Sequence, residues 1–324
     1  MIIFFHFDIG AGCRARTCDL RCVKALLVPT ELIPRNGEIL SYIVCFLYEH
    51  VAELADALAS GASGSNLVEV QILSCSHMTD LSKHILYEDE DIVVLDKPAG
   101  LVVHPDGRTK EPSVSAWFVS KYPASKNVGE PIKLTAKSSQ LKAIIERPGV
   151  VHRIDRETSG VLLLAKTKIG HKILKEQFQK REIQKIYHLF VYGNLKDSQG
   201  TINLPIARSV SNFKKWSAER GTRGEKRDAV TYFKVLKRNP ERNITFLEAK
   251  PKTGRTHQIR VHFKALHHPV VCDKLYASKK PCLLSFNRLA LHARAIIFKN
   301  VSGKQIAIEA PYPEDFVKAM DTLG

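Results

Sequence analysis

Runs of alternating or continuous apolar residues predict a chain with more strands than helices. Strand-like runs bounded by Gly, Pro and Asn turn signals span residues 91–95, 160–165, 184–192, 229–236, 244–249, 290–298 and 305–309. Two other segments, 168–181 and 256–266, have apolar residues at helical spacing. Strands in the majority, without regular strand–helix alternation, favour an α+β fold with a mixed or mainly antiparallel sheet.

Two features complete the hydrophobic pattern. Segment 126–146 is rich in Lys, Ser and Pro and has no clear periodicity, so we interpret it as a candidate mobile insertion beside a substrate. No run reaches the roughly 18 to 20 uncharged apolar residues that a membrane-spanning helix needs. We therefore expect no membrane partner.

The first 77 residues differ from the rest of the chain. Strings such as AGCRARTCDLRCVKALLVPTELIP resemble translated transfer-RNA genes, and we expect this region to be an annotation artefact, with the native product starting at Met78. The alternative is a short extra domain with a helix at residues 51–60. Cys13, Cys18 and Cys22 lack the paired spacing of a zinc site, so we expect no metal there. A native peptide spanning His77 and Met78 would exclude the artefact.

The charge of the chain narrows the class of partner. Its 324 residues include 49 Lys and Arg against 33 Asp and Glu, a formal net charge of +16. The first 77 residues are slightly acidic, so the whole surplus lies in residues 78–324, which we interpret as a single domain. Such a surplus favours a polyanion, with nucleic acid as the leading candidate. Only Cys272 and Cys282 fall in this domain, which suits the reducing cytoplasm.

Residues 149–166, GVVHRIDRETSGVLLLAK, carry the strongest chemical signal. Two apolar runs, interpreted as strands, flank a polar loop and would display the catalytic candidate Asp155 at the edge of a rigid sheet, beside the substrate-binding candidates His152, Arg153 and Thr158. Asp155 lies between two arginines, whose positive charge would keep it ionised as a nucleophile or base. The alternative is that Asp155 only caps a turn.

Five strings appear in an order that identifies a family. They are LYEDEDIVVLDKPAGLVVHP, HRIDRETSG, KIYHLFVYG, KTGRTHQIRVHFKALHHPVVCDKLY and RLALHARAIIF. Over residues 85–316 the chain resembles the RluA-type family of RNA pseudouridine synthases. The resemblance implies a mixed-sheet α+β catalytic domain with a central basic cleft, which turns uridine into pseudouridine in RNA with no cofactor and no metal.

The resemblance also implies roles for individual residues. Asp155 corresponds to the family's catalytic aspartate, which acts either as a nucleophile or as the base that takes a sugar proton. Tyr187 corresponds to the tyrosine that stacks on the target base and can assist proton removal, and Arg260 to the arginine that pairs with the catalytic carboxylate. Arg153 matches the arginine that fills the space left by the flipped base.

Further binding candidates lie in the same motifs. The sequence predicts a helix that Thr256 caps, on which His257 and Arg260 share a face. Leu291 resembles the residue that packs against the other side of the base. For Tyr187 and Leu291 the alternative is an ordinary core position, and for Arg260 a surface position on an amphipathic helix.

A basic run is the last candidate RNA contact. It surrounds Trp216 and comprises Lys214, Lys215, Arg220, Arg223, Lys226 and Arg227. It either contacts an RNA backbone, with the tryptophan as a stacking platform, or is a solvated face.

The sequence supports an RNA-uridine isomerase acting on ribosomal RNA, with transfer RNA as the alternative substrate. A non-catalytic RNA-binding or ribosome-assembly protein and a base-releasing glycosidase are the competing hypotheses. We take a cytoplasmic monomer as the default.

Overall fold

Fourteen strands and four α-helices form the part of the chain that the computed structural model describes, namely residues 80–105, 111–135, 142–210, 212, 214–219 and 221–323. The strands are β1 Ile85–Glu88, β2 Ile92–Lys97, β3 Ile132–Thr135, β4 Lys142–Ile145, β5 Ser159–Ala165, β6 Gln184–Tyr192, β7 Gln199–Asn203, β8 Ile206–Ser209, β9 Trp216–Ser217, β10 Thr222–Arg227, β11 Val230–Asn239, β12 Ile244–Pro251, β13 Leu291–Lys299 and β14 Gln305–Glu309. The helices are α1 Val114–Lys121, α2 Lys168–Lys180, α3 Gln258–Ala265 and α4 Glu314–Asp321.

A nine-stranded sheet organises the fold. Its strands run in the order β1-β2-β5-β13-β6-β12-β11-β7, and β14 pairs with part of β13. Among its pairs only β5 with β13 is parallel. A three-stranded sheet, β10-β8-β9, and the hairpin β3-β4 complete the strands. The expected α+β class with a mixed, mainly antiparallel sheet is confirmed.

Strand β5 shows why its sequence is a continuous apolar run. All seven of its residues are buried because both faces of this strand are covered. Leu162 and Leu164 pack in a cluster with Trp117 of α1. Val161, Leu163 and Ala165 face the opposite cluster, where Leu174 of α2 lies. The strand that presents the polar loop of residues 151–158 is therefore held from both sides.

The predicted elements match the structure where periodicity is strong. The strands at 184–192 and 305–309 have the predicted bounds, and the other five predicted strands differ by one to three residues at an end. Strands β1, β3, β4 and β7–β10 and helices α1 and α4 were not predicted. Segment 126–146 contains hairpin β3-β4, while residues 136–141, which join its strands, lie outside the described residues.

Three findings bear on the remaining expectations. The described residues belong to one compact unit that begins at Met78; the predicted artefact, the helix at 51–60 and the cysteine run all lie outside the described residues. Among the described residues, no helix is long and apolar enough to cross a bilayer. Cys272 and Cys282 form a disulfide, which the small number of cysteines does not predict.

Candidate active site

Asp155 lies in a loop that leads into strand β5. The sequence predicts a strand immediately before this loop. The structure has no strand there, and Val150 makes only an isolated bridge to Leu164. After the loop, Gly160 has a φ of +104°, and a Cβ there would lie 2.2 Å from the carbonyl oxygen of Ala293. Glycine thus permits β5 to approach β13 closely just beyond the loop.

The carboxylate of Asp155 does not cap its own turn. The backbone carbonyl of Asp155 closes the turn by accepting from the amide of Thr158 at 3.1 Å. The side chain is directed instead to Arg260, whose Nη1 donates to Oδ2 of Asp155 at 2.8 Å. The structure therefore favours the predicted pairing over the turn-capping alternative, and it places Arg260 inside the site with 9% exposure.

A second carboxylate fixes the guanidinium of Arg260. Nε and Nη2 of Arg260 donate to the two carboxylate oxygens of Asp273 at 2.7 and 2.9 Å. Asp273 is 1% exposed, and it also accepts from the backbone amides of Leu275 and Tyr276. This bidentate pair leaves Nη1 of Arg260 for Asp155. The sequence reasoning missed Asp273, because a single acid in CDKLY has no local pattern that marks it as a partner.

The surroundings of Asp155 keep it ionised. Burial alone would raise the pKa of its carboxyl group, but His257 and Arg260 together hold that pKa below its usual value. Burial lowers the pKa of His257 more than Asp155 raises it. Arg260, whose pKa is raised by its two carboxylate partners despite burial, is therefore the permanent positive charge beside Asp155 at neutral pH.

His257 reaches the same carboxylate from outside the helix. Helix α3 starts at Gln258, and His257 precedes it with a φ of +55° and no side-chain cap, so the prediction that Thr256 caps a helix starting there is wrong. The left-handed conformation of His257 ends the extended chain and starts the helix. Nε2 of His257 lies 3.9 Å from Oδ1 of Asp155, and its Nδ1 hydrogen-bonds the hydroxyl of Tyr276 at 2.9 Å.

The two arginines beside Asp155 in the sequence have different partners. Arg156 forms a 2.7 Å ion pair with Glu111, and the side chain of Arg156 is half exposed. Arg153 is exposed, contributes least among the groups that lower the pKa of Asp155, and approaches Nε2 of His104 at 3.3 Å. The pKa of Asp155 is therefore lowered mainly by His257 and Arg260 rather than by its neighbours in the sequence, which corrects the expectation from the local sequence.

Tyr187 and Leu291 lie on adjacent strands at one wall of the cleft that contains Asp155. In the register of β6 with β13, Tyr187 pairs with Ala293 and Leu189 pairs with Leu291, so these side chains share a face. Tyr187 is partly buried, and Leu291 is 4% exposed. Burial, followed by the charge of Asp155, raises the pKa of Tyr187, so its phenol stays protonated at neutral pH.

His152 and Thr158 line the same cleft but are tied into the scaffold. Nε2 of His152 accepts from the backbone amide of Leu163 at 2.9 Å, and its ring packs on Phe178. Burial lowers the pKa of His152 to about 3, which fits a neutral ring in this role. Thr158 is 1% exposed, and its hydroxyl finds no partner among the described residues.

The cleft is strongly basic. It encloses about 480 Å³ between the Asp155 loop, the start of β6, the end of β12 and the start of α3. Its described lining contains one carboxylate, Asp155, and seven basic side chains: Arg147, Arg153, Arg181, Lys185, Lys252, Arg255 and Arg260. The expected central basic cleft is confirmed. Lys185 was missed although it alternates with Tyr187 on a strand that the sequence predicts.

A buried lysine stabilises the far side of the Asp155 loop. Lys97 is fully buried, and its ammonium donates to the carbonyl oxygens of Pro98, Leu101 and Arg156 at 2.7, 2.8 and 3.0 Å. The carbonyl of Arg156 also accepts from the amide of Gly100 at 2.9 Å. The chain after Asp155 is thereby joined to the end of β2.

Replacing this lysine should destabilise the protein. Lys97→Met removes the donor from the carbonyls of Pro98 and Leu101 and one of the two donors from that of Arg156, and we expect the free energy of unfolding to fall by about 3 kcal/mol. Urea denaturation followed by circular dichroism measures the change. Lys304→Met, at an exposed position, is the control and should alter stability by less than about 0.5 kcal/mol. Equal stability of the two variants would show that the Lys97 contacts do not support the loop.

The possible metal ligands in the part of the chain that the structure describes are its His, Cys, Asp and Glu side chains. Among the described residues there is no group of three or more His, Cys, Asp or Glu side chains arranged to hold a metal ion. The groups that the described cleft does supply are an arginine-paired carboxylate, a neutral histidine, a protonated tyrosine and a basic lining.

Comparison with known proteins identifies the family of the chain. The family model for RNA pseudouridylate synthase matches residues 91–265. An uncharacterised RNA pseudouridine synthase of Synechocystis is 33% identical, and the match covers 93% of this chain and 83% of the relative. The ribosomal large subunit pseudouridine synthase D of Xanthomonas campestris is 37% identical over 80% of this chain and 76% of its own length.

A solved structure shows the same architecture. Human RNA pseudouridylate synthase domain containing 4 superposes with a TM-score of 0.56 at 25% sequence identity, covering 75% of this chain and 94% of the human one. The match to the Synechocystis relative covers so much of this chain that it extends into the first 77 residues. The expectation that those residues are an artefact stays a prediction.

The fold and the family model place the chain in the pseudouridine synthase class. The chain belongs to the RNA pseudouridine synthase family. It is an isomerase that converts uridine to pseudouridine in RNA.

Proposed function

We propose that this enzyme modifies ribosomal RNA and that Asp155 performs the central step. The observation that carries the choice of RNA is the similarity to two proteins named ribosomal large subunit pseudouridine synthase D, from Xanthomonas campestris and Zymomonas mobilis. The chain covers 76% and 71% of their lengths. Transfer RNA is the alternative substrate.

The reaction is an isomerisation whose atoms balance without a cofactor. The N1–C1′ bond of the uridine breaks, the uracil turns within the cleft, and C5 bonds to C1′. The proton on C5 is lost, and N1 gains one. Asp155 either attacks C1′ and is displaced by C5, or removes a sugar proton and later returns it. Both routes need the carboxylate ionised, which its contact with Arg260 supports.

The lining of the cleft supports isomerisation over hydrolysis. Hydrolytic glycosidases commonly use two carboxyl groups, one on each side of the bond that breaks. Asp155 is the single carboxylate among the described residues that line the cleft. Glu157, the nearest acid in the sequence, does not line it, and its backbone carbonyl accepts from Arg288 at 3.2 Å. The described lining therefore supplies one of the two acids that a base-releasing activity of this kind would use.

Tyr187 and Leu291 form the proposed site for the target uracil. The strand register puts both side chains on one face of the sheet, within the same cleft as Asp155. An aromatic face would return about 1–3 kcal/mol of the stacking energy that the extruded base loses. Because the phenol of Tyr187 stays protonated, we assign it to stacking and hydrogen-bond donation at neutral pH.

The basic run around Trp216 is a proposed second contact with RNA. Arg223, Lys226 and Arg227 are exposed on strand β10 of the small sheet, whereas Arg220 lies outside the described residues. Trp216 is half buried, and the guanidinium of Arg208 lies 4.5 Å from its ring centroid. We therefore propose that this surface contacts the RNA backbone through its charges, while Trp216 supports Arg208.

Mapping pseudouridines across all RNA of cells with and without the gene tests the proposed substrate. We expect at least one ribosomal RNA uridine to lose its modification in the deletion strain. Recovery requires the wild-type gene and fails with Asp155→Asn. If the deletion strain lost pseudouridines only from transfer RNA, transfer RNA and not ribosomal RNA would be the substrate. Retention of every modification in the deletion strain, together with an inactive purified chain, would contradict the proposed function.

Arg153 should matter more for folded RNA than for unpaired RNA. It is exposed at the mouth of the cleft, where it can occupy the space left when the base is extruded. We expect Arg153→Ala to lower kcat/KM about tenfold or more on a stem-loop and only a few fold on a single strand carrying the same uridine, because unpairing costs a few kcal/mol. Tritium release from C5 measures both rates. Equal losses on the two RNAs would exclude base replacement.

A further inference from the structure

Lys185 is a basic side chain of the cleft that the proposed chemistry does not use. It precedes Tyr187 by two residues on strand β6, so both side chains project from the same face of the strand. Both also line the cleft that contains Asp155. Lys185 therefore stands beside the proposed uracil site, on the wall that supports the base.

The ammonium group of Lys185 has more hydrogen-bond donors than the described residues use. Its single hydrogen bond among the described residues is to the carbonyl oxygen of Thr253, at 3.2 Å. An ammonium carries three donors, and no ion pair to Lys185 is found in the described part of the chain. Burial lowers its pKa to about 8, so most molecules still carry the charge at neutral pH. A half-buried cation without a carboxylate is stabilised by an anionic ligand.

The chemistry of an RNA substrate identifies which of its groups can be the anionic ligand of Lys185. RNA brings its negative charge on backbone phosphates, and uracil itself is neutral. Residues two apart on a strand are separated by about 7 Å, which is comparable with the distance from a pyrimidine ring to the phosphates flanking its own sugar. A base held against Tyr187 thus brings one of these phosphates within reach of Lys185.

We propose that Lys185 is a substrate-binding residue that contacts a backbone phosphate next to the target uridine and so sets the position of C1′ relative to Asp155. This inference rests on the proposed placement of the uracil against Tyr187. It assigns one of the seven basic residues of the cleft lining to the nucleotide that reacts. Of the other six, Arg260 is held by Asp155 and Asp273.

A substrate lacking one charge tests the contact. The probe is a synthetic RNA centred on a uridine that the wild-type chain converts, made with the normal phosphates or with a neutral methylphosphonate on the 5′ or the 3′ side. We expect Lys185→Gln to raise KM about tenfold on the normal RNA, with a smaller change in kcat. One of the methylphosphonates should raise the KM of the wild type similarly, and Lys185→Gln should add little to it.

Two further variants complete the experiment. Lys185→Arg keeps the positive charge and should recover most of the lost affinity. Lys172→Gln removes an equal charge from the exposed face of helix α2, outside the cleft, and should change KM less than twofold. Urea denaturation of each variant reports any loss of folding.

The possible outcomes distinguish a failure of the proposed Lys185 contact from a failure of the proposed function. If the wild type converts the probe but the losses from Lys185→Gln and from either methylphosphonate simply multiply, Lys185 does not contact those phosphates. A fall in kcat with unchanged KM would also overturn the inference. If the wild type converts no uridine in any RNA offered, the proposed function fails instead.

Discussion

Replacing Asp155 by asparagine is expected to abolish pseudouridine formation while leaving RNA affinity within a few fold. The amide has nearly the same shape and can still accept a hydrogen bond from Nη1 of Arg260, so the loop should keep its position. It can neither attack C1′ nor take a sugar proton. We expect turnover to fall by about four orders of magnitude or more, as for the loss of other catalytic nucleophiles.

Carbodiimide modification followed by primer extension measures the product, and filter binding measures the affinity for the same RNA. Glu157→Gln is the matched control. It removes an acid two positions away in the same loop, and this acid does not line the cleft. That variant should keep its turnover within about threefold of the wild type, as expected for a group outside the reaction. More than about 1% residual activity in Asp155→Asn would remove Asp155 from the central step.

The sequence predicted the parts of the fold in which a single periodicity dominates. Lys185 and Tyr187 of strand β6 line the cleft while Ile186 between them does not, and the bounds of this strand were predicted correctly. Strand β10, TRGEKR, was missed because nearly all of it is exposed and polar, so no burial pattern marks it. Helix α1 was missed for the opposite reason: Ser115 is buried with Val114, Trp117 and Phe118, so the helix has no clear polar stripe.

The site was predicted as a set of residues rather than as a set of contacts. The motifs identified Asp155 and Arg260, which are 105 positions apart in the chain and hydrogen-bonded in space. The local reasoning assigned the ionisation of Asp155 to Arg153 and Arg156, but side chains of a tight loop diverge, and Arg156 reaches Glu111 instead. The role of Asp273 can be recognised only in the folded structure, because it consists of the bidentate contact with Arg260.

Removing the guanidinium of Arg260 should impair both the fold and the reaction, so the choice of variant decides what is measured. Arg260→Ala leaves Asp155 and Asp273 without their shared cation, and we expect it to lower the free energy of unfolding by about 3–5 kcal/mol. Arg260→Lys retains a positive charge but cannot donate to both carboxylates in the same planar geometry. It is therefore the more informative test of catalysis.

We expect Arg260→Lys to lower kcat by about 100-fold or more with little change in KM, because a misdirected carboxylate loses alignment and not RNA affinity. The acid limb of the pH–rate profile of this variant should also move to higher pH. Arg260 opposes the effect of burial on Asp155, so weakening that contact raises the pKa of the carboxyl group and protonates it at a higher pH. Activity of the variant should then fall as the pH drops through a range in which the wild type stays active, and raising the pH should recover part of it.

Arg294→Lys provides the comparison, because it makes the same exchange at an ion pair with Glu309 that lies outside the cleft. Its pH–rate profile should coincide with that of the wild type. Single-turnover rates measured from pH 5 to pH 9 on one RNA separate the two variants, since a general loss of packing would lower the rate at every pH by a similar factor. An acid limb that stays in place in Arg260→Lys would show that Arg260 does not control the ionisation of Asp155, and unchanged turnover would show that the pairing does not align the carboxylate.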